Sequence, residues 1–200
     1  MDEIRLKKLI DALINDPGQE ELSYYFNEVY QQKGFGQGEH HRYDVFDHTR
    51  LALMIWRKFD FIPLLIADKL KQKIDGLTKK TLIELALCFH DAGKMMQYNL
   101  TGSLYNHGLY TVTWQIALIN LRFNLTENQK NYVTKLIKHH MAFAGDRQAA
   151  EQLLQAEEIF IETLLIALAD LMACQGPAIN QSDIKKVNDY VIKWLNAYAA

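Results

Sequence analysis

Apolar residues recur every three or four positions along most of this chain, which is the spacing of amphipathic helices. The segment 3–15 is typical, because Leu6, Leu9 and Leu13 fall on one face between charged residues. Strict alternation of polar and apolar residues, the period of a half-buried strand, stands out nowhere, and no internal repeat is visible. The pattern therefore predicts an all-α helical bundle.

Capping and helix-breaking residues set the expected bounds of these helices. Asp44 and Thr78 are candidate N-caps, and Thr126 with Gln129 has the sequence of a capping box. Residues 94–106 are expected to be a loop. The predicted helices cover residues 3–15, 20–31, 45–59, 62–73, 79–92, 107–122, 126–139, 147–156, 159–174 and 183–198.

The chain has 200 residues, enough for one domain with a sizeable core. Three parts are predicted: an N-terminal helical extension over 1–37, a central domain over 38–178, and a C-terminal helix over 179–200 packed on the bundle. The glycine-rich stretch 34–38 lies at the first boundary. It lacks the Gly-Lys-Ser/Thr ending of a phosphate-binding P-loop, so we expect a plain linker there.

Charge and cysteine usage narrow the class of protein. A net charge of −2 provides no strong field for nucleic acid or for a membrane surface. Cys88 and Cys174 are far apart in apolar stretches and form no Cys-x-x-Cys motif, which predicts buried free thiols in a reducing compartment. The charged N-terminus has no signal-peptide core, and the apolar stretches are too short to span a bilayer. We therefore expect a cytoplasmic protein without membrane contact.

The candidate chemistry centres on residues 85–94, where an apolar helical run ends in His90 and Asp91, followed by Gly93 and Lys94. An adjacent imidazole and carboxylate at a buried helix end can bind one cation together, and Lys94 could reach an anion held by that cation. Gly93 is expected to turn the chain in a left-handed conformation. Two such residues alone would sooner indicate a capped helix end with a surface His-Asp pair.

The other histidines and one aspartate favour the metal interpretation. A lone histidine such as His48 on an apolar face is more often a satisfied core residue than a ligand. Asp170, however, is the one carboxylate between Thr163 and Cys174 in the most apolar helix, and its burial is costly unless it is paired or bound to a metal ion. All seven histidines lie at predicted helix ends or in adjoining loops, namely His40, His41, His48, His90, His107, His139 and His140.

The order of these residues resembles that of the HD-domain metal-dependent phosphohydrolase superfamily. The local strings are most similar to the HD domain of tRNA nucleotidyltransferases, the CCA-adding and poly(A)-polymerase-like group. The resemblance covers about residues 38–175. It rests on residues 40–49, 85–94, 106–108, 136–141 and 167–170.

The resemblance implies an HD-domain helical bundle with a metal site in which Asp91 can bridge two ions. It places Lys94 against substrate phosphate and puts His41 near the entrance. The candidate catalytic residues are Asp91, Lys94 and His107, where His107 or an unligated member of the 139–140 pair is the candidate general acid. His48, His90, Asp91 and Asp170 would hold the first ion. The implied ligands in full are His48, His90, Asp91, His107, His139, His140 and Asp170, with one or both of 139 and 140 in use.

The sequence departs from the family pattern in two respects. Ala92 stands where isoleucine or leucine is common, a mild change that leaves the ligands intact. No Asp-x-Asp pair occurs, so the resemblance does not extend to the nucleotidyltransferase head, and CCA-adding activity is not transferred.

Mixed imidazole and carboxylate ligands favour one or two ions of Mn, Fe, Co, Ni or Zn over a Mg-only site, with Mg kept as an alternative. The hypothesis is a metal-dependent phosphohydrolase, either a phosphomonoesterase or a phosphodiesterase, acting on a nucleotide or a related small molecule. One alternative is a non-catalytic HD module that binds metal or nucleotide and regulates a partner. Another is a plain helical scaffold. The family link makes RNA conceivable as a partner, although the net charge does not indicate it.

Overall fold

The computed structural model of this protein describes residues 1–58, 64–144, 147–156 and 158–175, together with 182, 185, 189–194 and 196. Over this part of the chain the fold is all-α, as predicted, apart from one two-stranded hairpin and an isolated bridge between His41 and Gln175. The α-helices are α1 (Glu3–Asn15), α2 (Glu20–Tyr25), α3 (Asn27–Tyr30), α4 (Val45–Arg57), α5 (Leu64–Lys71), α6 (Lys79–Phe89), α7 (Lys94–Thr101), α8 (His107–Tyr110), α9 (Ile116–Phe123), α10 (Glu127–His139), α11 (Arg147–Ala156) and α12 (Phe160–Cys174).

Capping side chains fix several helix ends where the sequence predicts them. Asp44 caps α4, because its carboxylate accepts a hydrogen bond of 2.8 Å from the backbone N–H of Asp47. Thr78 caps α6 in the same way. Thr126 and Gln129 form the complete capping box at the start of α10. These local predictions are confirmed.

Four helices form the frame of the core. The apolar helix α12 packs most extensively against α4, and α6 packs against both α4 and α10. The N-terminal helix α1 contacts α4 and α6 and buries Leu6 and Ile10 completely. Cys88 and Cys174 are both buried and free of any disulfide, as expected. The frame brings the N-terminal part of α4, the end of α6 and the last turns of α12 together.

Three predictions about the elements are wrong. The expected helix 20–31 is interrupted at Phe26, whose φ of −113° lies outside the helical range. The expected loop 94–106 contains α7, a run of good helix formers that ends at Gly102 with a φ of 69°. The expected helix 107–122 is helical throughout, although Thr111–Gln115 within it is π-helical. The two-residue strands β1 (Lys73–Ile74) and β2 (Leu77–Thr78) are too short for a periodicity to reveal.

Some predictions concern residues outside the described part of the chain. The first two residues of the predicted helix 62–73 lie there. Half of the residues of the predicted helix 183–198 lie there too, and its described residues are helical. Among the helices described, none has the length and apolar character to cross a bilayer.

Candidate metal centre

Four buried side chains from three helices and one turn converge at the centre of the bundle. His48 lies in the second turn of α4, His90 caps the end of α6, Asp91 follows it, and Asp170 lies on α12. One ligand atom from each residue lies within 4.8 Å of those from the other three. We call this group the primary site.

The distances within the primary site are short. Nε2 of His48 lies 2.8 Å from Oδ1 of Asp170 and 3.5 Å from Oδ2 of Asp91. Nε2 of His90 lies 3.3 Å from Oδ2 of Asp91 and 3.5 Å from Oδ1 of Asp170. Two imidazoles and two carboxylates therefore face one point, the mixed donor set that suits a transition-metal ion.

A second group adjoins the first through the other oxygen of Asp91. Oδ1 of Asp91 lies 2.9 Å from Nε2 of His107 and 3.7 Å from Nε2 of His140. The two histidine nitrogens are 2.9 Å apart, and all three ligand atoms lie within 4.8 Å of one another. We call this group the second site. Asp91 thus directs one oxygen into each site, as a carboxylate that bridges two ions would.

Three of the histidines are oriented by the helix ends that carry them. Nδ1 of His90 donates to the carbonyl of Leu87, and Nδ1 of His140 donates to that of Ile137, each at 2.7 Å and three residues back. His107 makes the same bond, also 2.7 Å long, to Leu104. A backbone partner at Nδ1 fixes the ring and leaves Nε2 directed into the site, which is the usual support of a metal-bound histidine.

The charges of the primary site stabilise one another. Burial alone would lower the pKa of His90, but Asp91 and Asp170 outweigh it and raise that pKa to about 10. Burial opposes ionisation of both aspartates too. The neighbouring His90 and Lys94 nevertheless hold the pKa of Asp91 well below its usual range. The hydrogen bond with His48 and the nearby imidazole of His90 do the same for the pKa of Asp170. The metal-free site is therefore a compensated cluster of charges.

The pKa of His140 is shifted in the opposite direction to that of His90. Burial, with His107 and His90 nearby, lowers the pKa of His140 to about 3. This ring is neutral at ordinary pH and can bind a cation without losing a proton.

Two ligand atoms in this cluster make close approaches without hydrogen bonds. Nε2 of His90 and Oδ1 of Asp91 are buried and have no hydrogen-bond partner in the part of the chain that the structure describes. Unsatisfied buried polar atoms of this kind are rare in folded proteins. Their donor types and their convergence fit a divalent metal ion, so the buried His/Asp cluster could hold a metal.

Lys94 is buried beside the primary site. Its Nζ donates to Oδ2 of Asp91 at 2.6 Å and to Oε1 of Gln37 at 2.5 Å. Gln37 also donates to the carbonyl of Tyr43 at 3.2 Å. This role of Gln37 was not expected, because the residue lies in the glycine-rich stretch predicted to be a plain linker.

Gly93 is needed for a reason other than the expected one. Its φ is −82°, so the left-handed conformation predicted for it is wrong. A Cβ at this position would instead lie 2.3 Å from the backbone oxygen of His107. At Gly108 a Cβ would lie 2.6 Å from the backbone oxygen of Ile137. These two close approaches bring the α8 segment near enough for His107 to reach Asp91.

Gln32 makes two hydrogen bonds to the backbone of the turn that follows Asp91. Its amide nitrogen donates to the carbonyl of Ala92 at 2.7 Å, and its amide oxygen accepts from the N–H of Met95 at 3.1 Å. This side chain comes from the predicted N-terminal extension and is buried. A glutamine at the end of a short helix offers no signal in sequence alone.

The structure places the remaining histidines around these two sites. His139 is half-buried and belongs to neither group, so of the adjacent pair only His140 directs a nitrogen at Asp91 among the described residues. The ring of His41 lies 4.6 Å from that of His48, between centroids. His40 and His41 both line a cavity at the mouth of the primary site.

That cavity has a volume of about 760 Å³. Its floor includes Asp170, Lys94 and His107, so both sites open into it. Polar and apolar groups share its walls, which are formed by Gln37, His40, His41, Ser103, Leu104, Tyr105, His140, Met141, Phe143, Ala167, Leu171 and Cys174.

Fold and site together define an all-α protein with a buried His/Asp cluster that could hold a metal ion. A scan against models of known protein families finds no match, and a search of curated proteins finds none either.

Proposed function

We propose that this protein is a metal-dependent phosphohydrolase of the HD-domain type that hydrolyses a phosphate mono- or diester of a nucleotide or related small molecule. The observation that carries the proposal is the division of the Asp91 carboxylate between two histidine-containing groups, with the ammonium of Lys94 at 2.6 Å from the same carboxylate. A carboxylate shared by two ions and a nearby cationic group are features that favour metal-assisted phosphate chemistry.

Two ions would be held by different subsets of these residues. The primary site would bind the first through His48, His90, Asp91 and Asp170. The second site would bind another through Asp91, His107 and His140. A bound ion of this class lowers the pKa of a coordinated water and polarises the phosphorus centre.

The side chains around the sites supply the remaining requirements. Lys94 offsets negative charge that develops on the phosphoryl oxygens, and its burial strengthens this interaction because bulk water screens it less. In the form with only the first ion, His107 is positioned at the cavity floor to donate a proton to the leaving oxygen. A cavity of about 760 Å³ accommodates a small phosphorylated molecule and confines it against these groups.

The test measures metal content and turnover on the same samples. The purified protein and the variants His90→Ala, Asp91→Ala and His140→Ala are analysed for bound metal and assayed with nucleoside monophosphates, 2′,3′-cyclic nucleotides and generic phosphodiesters. His139→Ala is the matched control, because it removes an adjacent imidazole that belongs to neither site.

We expect metal loss and loss of hydrolysis in the first two variants, partial metal loss in His140→Ala, and neither effect in His139→Ala. Unchanged metal content and unchanged hydrolysis in His90→Ala and Asp91→Ala would reject the proposal. Bound metal with no turnover on any of these substrates would favour the non-catalytic binding module instead.

A further inference from the structure

A third group of potential ligands lies at the mouth of the cavity and contains the thiol of Cys174. His41, His48 and Cys174 each contribute one ligand atom, and the three atoms lie within 4.8 Å of one another. Sγ of Cys174 lies 3.9 Å from Nε2 of His41. The rings of His41 and His48 meet nearly edge to face, at 82°.

The backbone holds two members of this group in place. His41 forms an antiparallel bridge with Gln175, and the N–H of Arg42 donates to the carbonyl of Cys174 at 3.0 Å. The loop before α4 is therefore fastened to the end of α12 at this point. The separation of His41 and Cys174 is set before any ligand arrives, so little ordering entropy opposes binding.

Two ring nitrogens of this group have no hydrogen-bond partner within the described ranges. They are Nδ1 of His41 and Nδ1 of His48, both buried, and the whole side chain of His48 is 0% exposed. The other three buried histidines differ, because their Nδ1 atoms donate to a carbonyl three residues back. A buried imidazole nitrogen without a partner is costly unless something binds it.

We propose that His41, His48 and Cys174 form a separate site for a thiophilic cation of the Zn²⁺ class at the mouth of the cavity. A thiolate with two imidazoles is a donor set that such ions prefer, whereas the His/Asp groups deeper in the protein offer no sulfur. The thiol of Cys174, now 3.4 Å from the carbonyl of Asp170, gives up its proton to solvent when the metal–sulfur bond forms.

Occupation of this site interferes with the chemistry below it. His48 belongs to this group and to the primary site, so the two sites compete for one imidazole or share it as a bridge. His41 and Cys174 also line the cavity that, on the proposed hydrolase function, would receive the phosphorylated molecule. An excess of zinc therefore inhibits the protein, and that inhibition depends on the cysteine.

The test uses Cd²⁺, because a cadmium–thiolate bond gives an ultraviolet charge-transfer band whether or not the protein is an enzyme. The full chain is stripped with a chelator and titrated with Cd²⁺. The variants are Cys174→Ala, Cys174→Ser and His41→Ala. The matched control is Cys88→Ala, which removes the chain's other cysteine. Circular dichroism verifies that each variant folds.

We expect the band in the wild type and in Cys88→Ala, and no band in either Cys174 variant. In His41→Ala, Cd²⁺ affinity should fall about tenfold or more, since loss of a direct ligand costs at least as much as the roughly 10–100-fold typical of an outer partner. No band in the wild type, or a band that survives in folded Cys174→Ala, would overturn the proposal.

Activity provides a second measurement if hydrolysis is found. The ratio of activity with and without excess Zn²⁺ should fall in the wild type and in Cys88→Ala, and should stay near unity in Cys174→Ser. Equal inhibition of wild type and Cys174→Ser would place the inhibitory zinc elsewhere. Because the cadmium band needs no turnover, failure of this site and failure of the proposed hydrolase are distinguished.

Discussion

Nε2 of His48 lies 2.8 Å from Oδ1 of Asp170, although 122 positions separate the two residues. The contact forms where α4 and α12 pack along each other, and it places a carboxylate inside the most apolar helix of the described chain. A buried charge of this kind is tolerated because it is paired and hydrogen-bonded. The pair also marks the point on which the primary site converges.

Replacing Asp170 by asparagine should remove metal from the primary site while leaving the fold intact. The amide oxygen can still accept from His48, but it lacks the charge that a divalent ion requires. We expect metal affinity to fall by more than the 10–100-fold typical of outer-shell changes. Metal analysis after dialysis measures this, with Asp47→Asn on the exposed side of α4 as the control. Equal metal content in the two variants would contradict the assignment.

Metal uptake near neutral pH should release protons from the protein. The pKa of His90 in the metal-free site is about 10, so this ring is protonated until a cation displaces its proton. Affinity should therefore rise with pH up to that value. Calorimetry in buffers of different ionisation enthalpy counts the released protons. His90→Ala should release fewer, and an identical count would show that His90 is not a ligand.

The raised pKa of His90 also predicts how the free energy of unfolding of the chelator-treated protein changes with pH. The pKa of His90 is raised from 6.5 to about 10 on folding, so its contribution is fully present below pH 6.5. That contribution is lost as pH rises toward about 10. Urea unfolding of chelator-treated protein across this range should show stability falling with pH, and a smaller fall in His90→Ala. A rise in stability with pH attributable to His90 would contradict the charged pair.

Local signals in the sequence predicted most of the helices, because amphipathic spacing and capping residues act over a few positions. Asp44 and the Thr126–Gln129 capping box are examples whose partners lie within three residues. α7 was missed because its polar composition hid a run of helix formers that stops only at Gly102.

The candidate site was only partly predictable from the sequence. His90, Gln37 and Gly93 illustrate the physical reason. His90 could be recognised as a candidate ligand from its neighbour Asp91 and from the apolar run before it. Gln37 touches Lys94 from 57 positions away, through a contact that exists only once the bundle has formed. Gly93 was noticed, but its role depends on the approach of a backbone atom from His107. Contacts between segments that are distant in sequence cannot be predicted from local residue spacing.

Gly93→Ala should disturb the second site more than the first. Its Cβ would lie 2.3 Å from the backbone oxygen of His107, and backbone cannot yield as a flexible side chain can. We expect a stability loss of about 1–3 kcal/mol or more, as for other overpacked sites, with loss of metal from the second site. Gly36→Ala is the control, since nothing lies within 4 Å of its added Cβ. Denaturant unfolding and metal analysis compare them, and equal behaviour would refute the close-packing argument.

Gln32→Ala should destabilise the turn that carries Asp91. The substitution leaves the carbonyl of Ala92 and the N–H of Met95 without the side chain that now bonds them. Loss of such buried partners costs about 1–3 kcal/mol. The adjacent Gln31 is exposed, so Gln31→Ala should stay within about 0.5 kcal/mol of wild type. Urea denaturation measures the stability of both variants. A Gln32→Ala effect as small as that of Gln31→Ala would show that the two hydrogen bonds of Gln32 do not stabilise the turn.

Gln37→Ala should reduce hydrolysis through the position of Lys94 while leaving the metal content unchanged. The ammonium of Lys94 is held between Gln37 and Asp91, and without the amide it can settle on the carboxylate alone. We expect kcat/KM to fall about tenfold, equivalent to about 1.4 kcal/mol. Gln97→Ala is the control, because Gln97 is also a buried glutamine but bonds Thr101.

A double-mutant cycle separates this positioning role from a general loss of structure. If Gln37 acts only by holding Lys94, then adding Gln37→Ala to Lys94→Met should lower kcat/KM no further than Lys94→Met alone. Losses that add in full would instead assign Gln37 a direct contact with the phosphorylated molecule, since it also lines the cavity. An unchanged kcat/KM in the single Gln37→Ala variant would show that Asp91 suffices to orient the ammonium, because their 2.6 Å contact survives the substitution.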